Sequence, residues 1–218
     1  MWLLVSWLLS FGWDSPIRPS LRAYESSVSH LLVLLSLGIA IVWPLFRLSA
    51  LNRGGPRVIA FVDFVAIALT LQVVLWPMLI SGQWSLIRLV ALDWTLCAWS
   101  FVIAACVALG SVSPVINRDS YCVPSGRFAR VNFRRAFWMF IIFLLSMFGP
   151  LVSLMMDQDS SMASEMFQWS PISASWWMST HTLDTPLTEE WVRLIVLSVV
   201  GVVAWLGLFF QGRANANR

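Results

Sequence analysis

Three ionisable side chains fall inside otherwise apolar stretches: Asp63, Arg88 and Asp93. At mid-membrane each costs roughly 2.5 to 3.5 kcal/mol on insertion scales, so each calls for a partner or a purpose. Asp63 lies in the apolar run Val58 to Ile80 and Asp93 in the run Leu86 to Leu109, with only Ser81 to Ser85 between the two. So short a connection makes the pair a helical hairpin. In such a hairpin, turning near Gly82, residues whose numbers sum to about 165 lie at equal depth, which sets Gln72 opposite Asp93. A Gln amide can donate to a carboxyl in either protonation state. Asp63 lies at the depth of Val102, toward the opposite end, where Arg53, Arg57 or an arginine of the third connection is the expected partner. Arg88 enters about one turn below the surface, and can snorkel upward or meet the acidic segment 157–190. Two chemistries suit Asp63, Gln72, Arg88 and Asp93: structural ion pairing, or protonatable stations along an internal cavity, as in a proton- or cation-coupled carrier. The two aspartates differ in depth by about nine residues, roughly 14 Å, so they form no acid/base dyad.

A second group of residues could bind rather than react. Met155, Met156, Met162, Met166, Met178 and His181 are soft ligands of the kind that suit copper(I). Their spacing does not repeat, and Phe167, Trp169, Trp176 and Trp177 lie among them, so an amphipathic docking segment is the simpler reading. Met162, Met166, Trp169, Trp176 and Trp177 are its expected contacts, and no metal or cofactor is expected. Arg127, Arg130, Arg134 and Arg135 interleave with Phe128 and Phe133. There each arginine can contribute about 1 kcal/mol at an anionic headgroup surface, or the patch can meet a cytoplasmic protein. Glu189 and Glu190 stand one turn before Arg193, and Thr185 with Pro186 forms a helix start for the last apolar run.

Reaction motifs are missing. The sequence has no Gly-rich phosphate cradle, no His-Glu-x-x-His, no Gly-x-Ser-x-Gly and no Cys pair at metal or redox spacing. Pro124-Ser125-Gly126 matches part of a lipid-phosphatase signature, but Arg127 replaces the required His. Cys97 and Cys106 sit on opposite faces of one helix, and Cys122 lies alone in a basic connection. No His falls mid-span, which disfavours haem held by two imidazoles. Trp94 and Trp99 are deep for indoles and are expected to pack on a neighbouring span.

These residues need a membrane-spanning scaffold. Of 218 positions 59% are hydrophobic and 11% charged, far from the soluble average of about a quarter charged. The fold class is therefore all-α, a polytopic transmembrane helical bundle. Spans are expected at about 28–46, 58–80, 86–109, 136–156 and 191–210, preceded by an N-terminal interfacial helix and connector over 1–27. Residues 157–190 form an outer segment and 211–218 a tail. Met1 to Trp13 is too short to cross as a helix, and its tryptophans suit the headgroup zone.

Arg47, Arg53 and Arg57 fall in the first connection, five arginines in the third and two at the C-terminus, with none in the second or fourth. By the positive-inside rule this places the N-terminus outside and the C-terminus in the cytoplasm of a bacterial-type inner membrane, although Arg18 and Arg22 then lie outside. The expected partners are the lipid bilayer and other membrane-protein subunits, with no nucleic acid. The expected role is a non-enzymatic accessory or scaffolding subunit, and the alternative is a small coupled transporter.

Overall fold

The first long helix is shaped by a tryptophan far from it in sequence. In the computed structural model, which describes residues 2–11, 21–50, 55–81, 84–111, 125–155, 168–180 and 187–216, α1 (Trp2–Phe11) runs beside α2 (Leu21–Leu37). The Trp2 indole donates to the Leu34 carbonyl at 2.9 Å. An α-helical Gly38 amide would use that same carbonyl, and the ladder widens there into a π-helical turn, Gly38–Val42, before continuing as α3 (Trp43–Ser49). A Cβ on Gly38 would lie 2.0 Å from the Trp2 ring nitrogen, so only glycine admits the indole. Pro44, without an amide hydrogen, sits at the start of α3 directly behind the widened turn. The rod therefore runs through it to Ser49, past the expected end at Phe46.

The N-terminal helix is present, but it does not simply follow an interface. Leu34 and Gly38 lie seven and eleven residues past Ser27, where the first apolar span begins, or roughly 10 to 16 Å along the axis. The Trp2 end of α1 thus reaches about the middle of that span.

Next comes the hairpin of α4 (Pro56–Ser81) and α5 (Leu86–Ser111). Ser85 caps α5, its hydroxyl accepting from the Arg88 amide at 3.2 Å. Helix α5 is the central post, packed against α3, α4 and the three helices that follow. Of its most apolar window 72% is buried, against 17% for α4. Apolar side chains gain nothing by leaving lipid for protein, so close approach must hold such a post. Ser100, Ala104 and Ala108, one small residue per turn, are fully buried.

After α5 come α6 (Ser125–Met155), α7 (Pro171–Thr180) and α8 (Thr188–Ala216). Gly149 is buried on α6. Gly201 brings α8 against Phe101 of α5, where a Cβ would meet the ring at 2.7 Å, whereas Gly207 has open space around it. Five helices are long and apolar enough to cross a membrane, over Ser27–Ser49, Pro56–Pro77, Leu86–Ser111, Val131–Val152 and Thr188–Phe210. The chain is a multi-pass all-α membrane bundle with an additional N-terminal helix.

Other boundaries differ from expectation: α2 begins at Leu21, within the expected connector, and α8 runs on to Ala216, into the expected tail. Helix α6 begins at Ser125, so Arg127, Arg130, Arg134 and Arg135 occupy its first turns rather than a loop; Arg and Phe are compatible with helix. The outer segment 157–190 contains α7, which lies against α2 and α5 instead of projecting. The Ser170 hydroxyl accepts from the Ser173 amide at 3.4 Å and Pro171 takes the first helical position, which together start α7. Its serines satisfy themselves locally, as when Ser175 donates to the Pro171 carbonyl at 2.7 Å. That lets Ser173, Ser175 and Ser179 be buried.

Candidate polar sites within the bundle

Three carboxylates anchor three separate polar clusters. The first joins α3 to α4. Arg47 grips Asp63 in bidentate fashion, Nε on one oxygen and Nη2 on the other, and the Trp43 indole donates to Asp63 at 3.3 Å. The expected partners Arg53 and Arg57 are displaced by Arg47. Arg53 itself is outside the described residues. The first rod ends at Ser49 and α4 starts at Pro56, so equal depth across this turn means residue numbers summing to about 105. That count places Asp63 beside Trp43, one turn from Arg47.

The second cluster joins α4 to α5. Gln72 donates through Nε2 to both carboxylate oxygens of Asp93, at 2.8 and 2.9 Å. Its own carbonyl oxygen accepts from the Trp76 indole at 2.5 Å. The Cys97 thiol donates to Asp93 at 3.6 Å. A row of four polar side chains thus runs along the hairpin seam. Asp63 and Gln72 share α4 nine residues apart, roughly 14 Å, so the first two clusters are distinct.

The third cluster is the most enclosed. Arg88 of α5 and Glu190 of α8 form an ion pair at 2.5 Å, with both side chains 2% exposed. The Trp177 indole of α7 donates to the other Glu190 oxygen at 3.2 Å. One carboxylate therefore ties three helices. Beside it lies a cavity of about 30 Å³ lined in part by Thr95, Trp99, Met178 and Arg193. Of the two expected outcomes for Arg88, contact with the acidic segment is the one seen. One turn further along α8, Arg193 Nε donates to the Glu189 carbonyl at 3.3 Å.

The remaining candidates are scattered. Trp176 is exposed and meets His30 edge-on at 6.1 Å between ring centroids, Trp169 is half-buried, and Trp177 faces inward to Glu190. Met178 is buried and accepts from the Thr95 hydroxyl at 3.4 Å. Met162 and Met166 lie outside the described residues, as do the side chains of Arg127 and Arg130, while Arg134 and Arg135 are half-buried. Trp94 packs at the neighbouring span, donating to Ser198 at 3.0 Å and meeting Trp191. Trp99 is buried. Among the described residues no three His, Cys, Asp or Glu side chains gather as metal ligands would.

Two features had little or no signal in the sequence. The contact of Trp2 with Leu34 joins residues 32 positions apart. The burial of α7 was hidden by its serines, which resemble those of a solvated segment. Arg47, by contrast, was within reach of the depth count applied to the second hairpin.

Chemically, each of the three carboxylates already accepts two or more donors from fixed neighbours, a pattern of structural clamps more than of reacting groups. Comparison with family models, with curated proteins and with solved structures gives no match to this chain.

Proposed function

We propose that the chain is a non-enzymatic subunit of a larger membrane assembly, a scaffold that holds position in the bilayer and offers its outer surfaces to other chains. The observation that carries this reading is the filled centre. Helix α5, which a carrier would need to line a path, is packed with Leu89, Leu92, Leu96, Ile103 and Ala104, all almost fully buried. The clamped carboxylates support it as well, since a proton station needs a group free to change partners. So does the low internal burial of α6 and α8, 17% and 22% over their apolar windows, which leaves two long faces for lipid or protein.

In this reading the membrane is a bacterial-type inner membrane. The Arg-rich start of α6 lies at the cytoplasmic surface, and the connections around α7 lie outside, following the arginine distribution. With α7 folded inward, outer docking falls to Trp169, Trp176 and the neighbouring residues, and the basic turns of α6 meet headgroups or a cytoplasmic partner.

Solubilisation in a mild detergent tests the proposal. Defined chains should remain bound at fixed ratio, and the Asp93→Asn variant should retain them, because an Asn side chain still accepts from Gln72. A chain that purifies alone, and whose loss has no effect on the integrity of any membrane complex, contradicts the proposal. The transporter alternative would gain if Asp93→Asn expressed normally and abolished a transport activity.

A further inference from the structure

The face between the first rod and α4 is hollow. One hollow, of about 440 Å³, is lined by Leu35, Gly38, Ile39, Val42 and Leu71 among others, with Trp2 beside Gly38. A second, of about 360 Å³, adjoins it through the shared residues Trp43, Phe46, Ala66 and Ile67, and reaches Arg47 and Asp63. The two form one trench, apolar along its length and charged at a single end. From Arg47 back to Leu35 is twelve residues, or about 18 Å, comparable with one leaflet of a hydrocarbon layer roughly 30 Å thick.

The charged end has its own asymmetry. Arg47 uses Nε and Nη2 on Asp63, and a guanidinium carries five N–H donors, so the Nη1 edge remains to meet an acceptor. Arg47 is part-exposed, at 30% of its side chain. Arg57 lies six residues before Asp63 on α4, about 9 Å along the axis. Two described arginines thus stand at this end against one aspartate. The α4 N-terminus at Pro56 adds a partial positive charge.

We propose that the trench holds one acyl chain of an anionic phospholipid, with the chain against Ile39, Val42, Ala66 and Ile67 and the phosphate at the free edge of Arg47. Charge complementarity selects this occupant over a zwitterionic lipid. The length of the trench suits a chain lying in one leaflet. The π-helical turn at Gly38–Val42 lies along its wall, so the irregularity that Trp2 introduces is part of the site. The inference does not depend on the subunit reading.

The test is native mass spectrometry of the detergent-purified chain with phosphatidylglycerol or phosphatidylcholine of identical acyl chains. Wild type should hold one phosphatidylglycerol with about fivefold preference, the factor that corresponds to about 1 kcal/mol from one arginine near a charged headgroup. Ala66→Trp, which fills the part common to both hollows from an exposed position, should lose that bound lipid. Thr70→Trp blocks the apolar end and serves as the second blocking variant if the first does not fold. The triple variant Arg47→Gln, Asp63→Asn and Arg57→Gln keeps a hydrogen-bonding pair at the first two positions and removes both arginines, and should bind both lipids equally; a preference that survives in this folded variant contradicts the headgroup contact. Equal binding of the two lipids by wild type overturns the proposal, as does retention of the preference in a folded blocking variant.

Discussion

At the scale of single residues, the account rests on charges that hold one another in place. Burying an ion pair is a poor route to stability, but removing one partner of a buried pair is severe, because the other charge stays in a dry site. Arg88→Met strands Glu190 among α5, α7 and α8, and is expected to destabilise the bundle by about 3 to 5 kcal/mol. Arg88→Met with Glu190→Leu should recover most of that loss. Thermal unfolding of the detergent-solubilised variants measures both; equal destabilisation by the single and double variants would show that the pair is not what joins the three helices. The sequence exposed this level unevenly. Gln72 and Asp93 were legible as neighbours because a short turn fixes the register of their helices. Arg47 was within reach of the same count but was set in the connection, because the first span was expected to end at Phe46, just past Pro44. The wide π turn carries the rod past that proline.

Among the elements, contact depends on where small residues fall on each helix. Gly201 and Gly207 share the spacing of small residues along α8, yet Gly201 meets Phe101 while Gly207 meets nothing within 4 Å. Beside Gly201, Phe101 stacks on Trp205 at 5.6 Å and packs on Phe64 at 5.0 Å, so α4, α5 and α8 close around one aromatic cluster. Gly201→Leu should therefore cost about 1 to 3 kcal/mol by overpacking, whereas Gly207→Leu should not destabilise. Helix-packing assays on the two variants, read as thermal shifts, decide the matter, and a penalty at Gly207 equal to that at Gly201 contradicts the packing. Long apolar runs revealed α4, α5 and α8 in the sequence within a few residues. Helix α7 was not legible as a packed element, because its serines bond to their own turn and a buried serine reads in sequence like an exposed one. The N-terminal helix was legible as a helix. Its depth was not, since that depends on Trp2 finding Leu34 across a connector.

For the whole molecule, sidedness and the filled centre carry the functional reading. In the proposed orientation, with the Arg-rich turns of α6 at the cytoplasmic surface, a cysteine placed at Ser164 should react with an impermeant thiol reagent from the outer side of intact cells, and one placed at Ser120 should react only after the membrane is opened. The reverse pattern would invert the topology and move the basic turns to the outer surface. The filled centre is tested most directly by flux. Purified chain in sealed liposomes, under an imposed pH gradient and membrane potential, should collapse the gradient no faster than protein-free liposomes. A wild-type chain that carries protons by itself, and loses that flux on Asp93→Asn while keeping its fold, would contradict the central claim that the three carboxylates within the bundle are clamps.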